Sequence, residues 1–348
     1  MVRSNIPPQI LRQLEQIEPG AQFSGALPRV SSSSGKTYFA KAGSSSEREQ
    51  YVGEAESLRA IALAAPGLAP SLLAFGFVDE NGEVIEEGHR DGRAAGSAGP
   101  AGRDDSESWS SSEGSSGARS RSQPGSGTDG SPFFISEYKD ISPLTERSGA
   151  ILGRRLATEV HGHASPAGAL GCGYGFGVPT FCGATRLRNG WYETWERCFD
   201  ALIGDLLSTL STRGGHSDLC RSGQEVRQRV IPALLGPLQI KPVLLHGDLW
   251  SGNTGTDATT GEPFMFDPSS FYGHNEADLA IARIFGGIPR SFFQEYHKHM
   301  PKTEPTEQYE LRGDLYELFH YLNHTVLFGG GYAHSAQRKM EKLLRALG

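Results

Sequence analysis

The sequence has few cysteines, and it lacks both a long apolar run and a secretory signal. Its four cysteines, at positions 172, 182, 198 and 220, never follow the C-x-x-C spacing, so they predict neither a zinc finger nor a disulfide framework. The apolar runs are shorter than the roughly 18 residues that a transmembrane helix needs, and the first residues lack the apolar core of a signal peptide. We therefore expect a cytoplasmic protein without a membrane partner.

An excess of basic residues is also missing. The chain has 33 lysines and arginines against 40 aspartates and glutamates, which gives a net charge of −7. Proteins that bind the nucleic-acid backbone usually carry a basic surface, so the composition argues against nucleic acid as the main partner. With 348 residues, of which 37% are hydrophobic, the chain is long enough for two packed units.

The first part of the chain predicts strands around one amphipathic helix. Residues 22–41 predict two strands around a Ser/Gly turn, and the second strand ends at Lys41. Residues 70–87 predict two more strands around a turn. Residues 47–64 follow a helical period that places four apolar side chains on one face: Tyr51, Ala55, Leu58 and Ile61.

A change in composition interrupts this pattern. Residues 88–131 are 44 residues that include 10 glycines and 12 serines, with Trp109 as their one aromatic residue. Such a segment buries too little apolar surface to offset the entropy lost on ordering, so we expect a disordered insert whose deletion leaves the fold stable.

After the insert, one more strand is predicted before the pattern becomes mainly helical. Two short strand-like runs, near Asp248 and Asp267, interrupt the helices. The sequence therefore predicts an α+β chain with a strand-rich N-terminal part, residues 1–137, and a larger helical part, residues 138–348.

The stretch HGDLWSGN, residues 246–253, carries the clearest chemical pattern. Asp248 and Asn253 have the D-x-x-x-x-N spacing of a kinase catalytic loop, in which the aspartate accepts the proton of the attacking hydroxyl and the asparagine binds magnesium. Asp267 ends the next apolar run, and its carboxylate is a hard oxygen ligand of the kind that Mg²⁺ prefers. The pattern predicts phosphoryl transfer with Asp248 as the base and with Asn253 and Asp267 as metal ligands.

Two residues of the N-terminal part complete the pattern. Lys41 would bind the nucleotide phosphates, and Glu54, on the following helix, would pair with Lys41 and fix its position. Glu56 is a rival for this second role. Each residue alone also fits a solvated strand end, a helix-surface charge or a turn, but their order along the chain is that of kinases.

Three motifs carry a resemblance to a known family: HGDLWSGN, then DPSSFYGH at 267–274, then DLA at 278–280. Together with GEAESLRA, NGWYETW and RGDLYELFHYLNHTVLFGGGY, they resemble the fructosamine kinases, or ketosamine 3-kinases. The resemblance covers residues 22–84 and 133–345. It implies a protein-kinase-like bilobal fold, with a small antiparallel-sheet N-lobe and a larger, mainly helical C-lobe.

The resemblance also implies a reaction. Such enzymes use ATP and Mg²⁺ to phosphorylate the 3-hydroxyl of an Amadori product on a protein lysine, and elimination of the phosphate then frees the amine. The expected partners are thus glycated proteins or small ketosamines. By the same resemblance, Ser136, Glu137 and Tyr138 would contact adenine through backbone groups, and Trp250 and His274 would shape the sugar pocket.

Two features depart from the family pattern. The loop expected over the phosphates, FSGALPRV, has one glycine and no cysteine, so we do not predict a redox-linked dimer, and the Gly/Ser insert has no counterpart. Asp278 is expected to be structural. Two alternatives stay open: a small-molecule kinase of the aminoglycoside or choline type, and a nucleotide-binding scaffold without activity. The preferred sugar and the oligomeric state are not determined by the sequence.

Overall fold

The structure is a computed structural model that describes residues 5–87 and 130–347. Its first part contains a six-stranded sheet and two helices, and its second part is mainly helical. The insert predicted to be disordered, residues 88–131, lies outside the described residues except for Gly130 and Ser131. Ser131 is the first residue of a strand, so the predicted insert extends slightly too far along the chain.

Neighbouring strands of the large sheet are antiparallel. In chain order they are β1 (Phe23–Ala26), β2 (Arg29–Ser32), β3 (Thr37–Ala42), β4 (Leu72–Val78), β5 (Val84–Glu87) and β6 (Ser131–Glu137). Their order across the sheet is β1-β2-β3-β6-β4-β5, so β6 lies between β3 and β4. Residues 22–41 form three strands where two were predicted, because the stretch before the Ser/Gly turn is divided into β1 and β2 at Leu27 and Pro28.

Helices α1 (Pro8–Ile17) and α2 (Arg48–Ala64) cover opposite faces of this sheet. Because side chains alternate along a strand, Phe133 and Ile135 of β6 pack with α1, whereas Phe134 packs on the α2 side. The face predicted for α2 is buried as expected, with Tyr51, Ala55, Leu58 and Ile61 all in the core. This packing fixes α2, and with it Glu54, against the centre of the sheet.

Helices dominate the second part of the chain. They are α3 (Glu146–Arg155), α4 (Trp195–Arg213), α5 (Ser217–Glu225), α6 (Ile231–Leu235), α7 (Asn275–Ile284), α8 (Arg290–His299), α9 (Tyr309–Phe328) and α10 (Gly331–Leu347). Helix α9 is the central one, since it contacts α4, α7 and α10 and is buried over most of its length. Among the described helices, none is both long and apolar enough to cross a lipid bilayer.

Short strands between the helices position the loops of the predicted site. They are β7 (Ile141–Ser142), β8 (Phe181–Cys182), β9 (Thr185–Arg186), β10 (Val243–Leu245), β11 (Thr254–Asp257), β12 (Pro263–Met265) and β13 (Phe271–Gly273). Leu245 of β10 pairs with Phe271 of β13, and Thr254 of β11 pairs with Met265 of β12. The loop 246–253 therefore begins next to the end of the loop 266–270 and ends next to its beginning, although the two loops are separate in sequence.

Candidate active site

The buried carboxylate of Asp278, in the first turn of α7, holds the start of the loop 246–253. The backbone N–H groups of His246 and Gly247 donate to its two oxygens at 2.7 and 2.8 Å, and Nε2 of His161 lies 3.1 Å away. Burial raises the pKa of Asp278, but these hydrogen bonds outweigh burial and hold the pKa below its ordinary value. Asp278 thus fixes the loop backbone, which is the structural role expected for it.

Gly247 allows the two loops to approach each other. Its φ is +85°, and a Cβ atom at this position would lie 2.0 Å from the carbonyl oxygen of Ser269. A side chain would therefore force the loop 246–253 away from the loop 266–270. The glycine of the HGD motif is required by this close approach.

The side chains of Asp248 and Asn253 meet inside the loop. Nδ2 of Asn253 donates to the Asp248 backbone carbonyl at 3.0 Å and to Oδ2 of Asp248 at 3.1 Å. Both bonds use the amide nitrogen, so the amide oxygen is turned away from Asp248. The backbone carbonyl of Asn253 accepts a hydrogen bond from the backbone N–H of Phe266 at 3.0 Å. This bond ties the loop to the residue before Asp267.

Asp267 has a φ of +56°, the one positive φ at a non-glycine residue in the described chain. Aspartate tolerates this conformation better than most residues, and such backbone strain persists where the surroundings impose it, often at functional sites. Asp267, Asp248 and Glu54 line one cavity between α2 and the two loops. Its other lining residues are Gln50, Phe181, Gly183 and Pro268.

The carboxylates around this cavity repel one another. Burial, and then the negative charge of Asp267, raise the pKa of Asp248 to about 7. Burial also raises the pKa of Glu54; Lys41 opposes this shift, and Asp267 adds to it. The cavity therefore carries more negative charge than its surroundings neutralise, which favours a cation.

Lys41 and Glu54 form an ion pair across β3 and α2. The ammonium group of Lys41 also lies over the rings of Tyr51 and Phe134, at 4.8 and 5.1 Å from their centroids. Glu56, the rival of Glu54 for this role, is instead paired with Arg59 on the surface of α2. The structure thus selects Glu54 as the partner of Lys41, and Glu54 connects this lysine to the cavity.

Ser136, Glu137 and Tyr138 lie where the central strand β6 leaves the sheet, away from the residues that line the cavity. The Glu137 N–H donates to the Ser71 carbonyl at 3.0 Å, and the Glu137 carboxylate pairs with Lys139 at 2.7 Å. These contacts hold the connection between the sheet and the helical part. An adenine base bound here would contact the backbone groups of residues 136–138 that these bonds do not use.

The structure separates the two residues expected at the sugar pocket. The Trp250 ring is 37% exposed and packs edge-on against Phe285, which is 39% exposed, at a centroid distance of 5.8 Å. His274, in contrast, is buried, and its two ring nitrogens lie 2.7 Å from the Tyr316 hydroxyl and 2.8 Å from Thr303 Oγ1. Both ring nitrogens of His274 are thus used inside the protein, so neither is available to a sugar in this structure.

Two residues beside Asp248 were not predicted from the sequence. Sγ of Cys182, a carboxylate oxygen of Asp248 and a ring nitrogen of His320 lie within 4.8 Å of one another. Cys182 is on the short strand β8 and His320 is on the central helix α9, so no local spacing connects either of them with the HGD motif. Only the tertiary packing of these elements brings them to the site.

Comparison with known proteins gives a consistent result. A profile described as fructosamine kinase matches residues 20–346. The chain is 39% identical over 219 residues to the "Protein-ribulosamine 3-kinase, chloroplastic" of Arabidopsis thaliana, covering 63% of this chain and 64% of that protein. It is 40% identical over 171 residues to the "Ketosamine-3-kinase" of Mus musculus, covering 49% of this chain and 53% of that protein. The chain thus spans less than two thirds of the length of these curated relatives.

Solved structures share the fold at lower identity. The "putative fructosamine-3-kinase" of Thermobifida fusca is 20% identical, with a TM-score of 0.66 over 94% of this chain and 93% of that one. A mutant of the aminoglycoside phosphotransferase APH(4)-Ia, in ternary complex with AMP-PNP and hygromycin B, is 14% identical. Its TM-score is 0.54 over 96% of this chain and 97% of that one. These likenesses confirm the predicted α+β, protein-kinase-like bilobal fold.

Proposed function

This chain belongs to the fructosamine kinase family, and we propose that it is an ATP-dependent ketosamine 3-kinase. The acceptor is the 3-hydroxyl of an Amadori product, a fructosamine or ribulosamine carried by a protein lysine or a small amine. One observation carries the proposal: Asp248, Asp267 and Glu54 line one cavity, and Glu54 is paired with Lys41. The names of the Arabidopsis and mouse relatives support this acceptor class.

In the proposed reaction, Asp248 accepts the proton of the attacking sugar hydroxyl. A general base works best when its pKa is close to the working pH, because it is then both ionised and basic. Without Mg²⁺ the pKa of Asp248 is about 7, and a cation on Asp267 would lower it, so the carboxylate is ionised and still basic at neutral pH. The hydrogen bond from Asn253 engages Oδ2, so Oδ1 is the atom to which we assign the proton transfer.

Asn253 and Asp267 are the proposed ligands of Mg²⁺. Their side chains offer hard oxygen atoms, and a cation at this position would offset the negative charge of Asp267, which after burial raises the pKa of Asp248, so the residues fit the ion. When bound, Mg²⁺ neutralises negative charge on the phosphates. The inward-facing amide nitrogen of Asn253 leaves its oxygen for this contact.

We assign nucleotide binding to residues 1–137 and acceptor binding to residues 138–348. Lys41 holds the phosphates, and Glu54 keeps its ammonium group in place. Ser136, Glu137 and Tyr138 supply backbone groups for adenine at the end of β6. The bilobal fold of the family supports this division, because the central strand β6 ends at Glu137, the boundary between the two ranges.

The exposed pair Trp250 and Phe285 supports an acceptor site on the helical side. Trp250 belongs to the same loop as Asp248, two residues further along, and we propose that its ring faces the acceptor. A flat, half-exposed aromatic surface covers the apolar face of a sugar or of the alkyl chain that carries it. We therefore retain Trp250 as a substrate residue and remove His274 from this role.

ATP consumption by the purified chain tests the proposal. The acceptor panel is fructosyl-lysine, ribulosyl-lysine, erythrulosyl-lysine and a glycated protein, with kanamycin and choline as controls, and each is assayed with wild type and with Asp248→Asn. We expect turnover with ketosamines, loss of that turnover in the variant, and subsequent release of free amine and inorganic phosphate. Preferential turnover of kanamycin or choline would assign the chain to small-molecule kinases, and absence of turnover with every acceptor would support a scaffold.

A further inference from the structure

Three side chains with metal-binding donor atoms meet beside the proposed catalytic base. Sγ of Cys182, a carboxylate oxygen of Asp248 and a ring nitrogen of His320 all lie within 4.8 Å of one another. They come from three separate elements: β8, the loop 246–253 and α9. Cys182 and His320 are buried, with exposures of 2% and 4%.

The chemistry of this donor set differs from that proposed for Mg²⁺. Magnesium prefers carboxylate, carbonyl and water oxygens, whereas a thiolate and an imidazole are typical ligands of Zn²⁺. Three protein ligands and one open position form a common arrangement for zinc outside structural sites. The combination of Cys182, His320 and Asp248 therefore selects a thiophilic divalent cation.

The spacing of the donor atoms is close to that of a formed site. With zinc–ligand bonds of about 2.0 to 2.3 Å and tetrahedral angles, the ligand atoms would be about 3.3 to 3.7 Å apart. Movements of about 1 Å would close the present arrangement onto an ion.

Two buried side chains, one in this cluster and one next to it, each carry an unsatisfied polar atom. Nδ1 of His320 is buried and has no hydrogen-bond partner in the described part of the chain. The same holds for Oδ1 of Asn323, one helical turn further along α9, whose Nδ2 donates to the Cys182 carbonyl at 3.2 Å. Buried polar groups without partners are uncommon and destabilising, so their occurrence beside three metal-binding side chains requires an explanation.

A route from the solvent leads to these side chains. Phe181 and Gly183, the two neighbours of Cys182, line the cavity that also contains Asp248 and Asp267. An ion that enters this cavity reaches Asp248 first. The donor atoms of Cys182 and His320 lie within 4.8 Å of a carboxylate oxygen of Asp248.

We infer that Cys182, Asp248 and His320 form a binding site for Zn²⁺, and that zinc bound there inhibits the enzyme. Zinc binding replaces the S–H bond of Cys182 by a Zn–S bond, and the proton leaves to the solvent. The same event engages the carboxylate of Asp248, which can then no longer accept a proton from the sugar. The inhibition rests on the proposed function, whereas the binding does not.

Metal binding is measured first, on the full chain without nucleotide or Mg²⁺. Co²⁺ serves as a spectroscopic probe, and the Zn²⁺ affinity is obtained by competition with a chromophoric chelator. We expect one Co²⁺ per chain with a thiolate-to-cobalt charge-transfer band, and displacement of Co²⁺ by Zn²⁺. Binding without that band, or no stoichiometric binding, would overturn the inference.

Substitutions then identify the ligands. Cys182→Ser and His320→Phe should each weaken Zn²⁺ binding by at least about 100-fold, the upper end of the loss caused by removing a second-shell partner. The matched control is Cys172→Ser combined with Cys220→Ser, because Cys220 stands one helical turn from His216 and could bind zinc by itself. Loss of binding in this control, with retention in the Cys182→Ser and His320→Phe variants, would place the metal at α5 and refute the proposed site.

Inhibition is measured last, as ATP consumption with excess Mg²⁺ and increasing Zn²⁺. Wild type should lose activity at zinc concentrations near the measured Kd and recover it when a chelator is added. His320→Phe should need at least about 100-fold more zinc for the same inhibition, in proportion to its weaker binding. Tight binding at Cys182 and His320 without inhibition would refute the regulatory role. Absence of activity before zinc is added would count against the proposed function, and the binding measurement would still decide whether the zinc site exists.

Discussion

The charge of Asp248 should make the folded protein less stable, so that Asp248→Asn gains stability while it loses activity. Burial and the nearby charge of Asp267 raise the pKa of this carboxyl from 3.8 to about 7. At about 1.4 kcal/mol per pKa unit, the ionised side chain costs the folded state about 4 kcal/mol at pH 7 relative to the unfolded chain. Asparagine has the same shape without the charge.

The net gain is smaller than this electrostatic cost. The amide oxygen introduced by Asp248→Asn can still accept the hydrogen bond from Asn253, so the loop keeps its geometry. Removing a neutral amide from water costs about 1 to 3 kcal/mol. We therefore expect Asp248→Asn to be about 1 to 3 kcal/mol more stable at pH 7, and its turnover to fall roughly 10³-fold, equivalent to about 4 kcal/mol of transition-state stabilisation.

The pH dependence tests the cause of the gain. A group whose pKa is higher in the folded than in the unfolded state stabilises the fold at low pH and loses this contribution as the pH rises through its folded pKa. The wild type should therefore recover on acidification, and the advantage of Asp248→Asn should shrink by about 2 kcal/mol between pH 7 and pH 5. Urea unfolding of the Mg²⁺-free proteins at pH 5, 6 and 7, followed by tryptophan fluorescence, measures this difference.

Asp257→Asn is the matched control, because the pKa of Asp257 is shifted in the opposite direction. Burial raises the pKa of Asp257, but the Thr259 N–H and the Lys139 ammonium group outweigh burial and lower it. Its substitution should reduce stability at pH 7. A stability advantage of Asp248→Asn that is constant between pH 5 and 7, or turnover close to that of wild type, would refute the reasoning.

Other predictions concern the ion pair, a buried histidine and the insert. Glu54→Gln removes the partner of Lys41 and should lower kcat/KM about 10- to 100-fold, the equivalent of one charged hydrogen bond, whereas Glu56→Gln on the same helix should have no effect in the same assay. Burial, with the charge of Arg312 as a second cause, lowers the pKa of His274 to about 3. Because this folded pKa lies below the unfolded value of 6.5, His274 contributes stability above pH 6.5 that is lost on acidification. Between pH 7 and pH 5, His274→Gln should therefore lose about 2 kcal/mol less free energy of unfolding than wild type, as measured by urea unfolding. Deletion of residues 90–130 should leave the melting temperature within about 2 °C, since their composition predicts little buried apolar surface; a larger decrease, measured by calorimetry, would contradict that prediction.

Local sequence patterns were sufficient to predict the geometry where the residues involved are close in sequence. The spacing of Asp248 and Asn253 is spanned by a single loop, so the two side chains must meet wherever that loop folds. The helical period of α2 likewise predicted the buried face that holds Glu54 against the sheet. In these cases one backbone element determines the geometry, and its sequence contains the necessary information.

Sequence proximity was misleading for His274. It directly follows the strand β13 in the DPSSFYGH motif, and the family resemblance of that motif suggested a place near the sugar pocket. The chain turns into α7 at this residue, however, and the imidazole enters the core next to Tyr316 of α9. Where a side chain points after a strand depends on the element it packs against, and that element is distant in sequence.

Cys182 and His320 were missed for the complementary reason. Neither belongs to a recognisable metal-binding spacing, and the cysteines of the sequence had been excluded on that ground. β8 contacts α2, and His320 of α9 has a ring nitrogen within 4.8 Å of an Asp248 carboxylate oxygen. Sites assembled from three distant segments leave no periodic or spaced signal, so a structure is needed to find them.

The same electrostatic feature underlies both the proposed activity and the proposed inhibition. Three carboxylates, of Glu54, Asp248 and Asp267, line one cavity, where burial raises the pKa of Glu54 and Asp248 and where Lys41 is paired with Glu54. A cavity of this kind attracts any divalent cation, so charge alone does not distinguish a cofactor from an inhibitor. The discrimination must come from the ligand atoms: the oxygens of Asn253 and Asp267 suit Mg²⁺, whereas the thiol of Cys182 and the imidazole of His320 suit Zn²⁺. Because Asp248 lies between the two sets, the ion that occupies the cavity determines whether its carboxylate is available as a base.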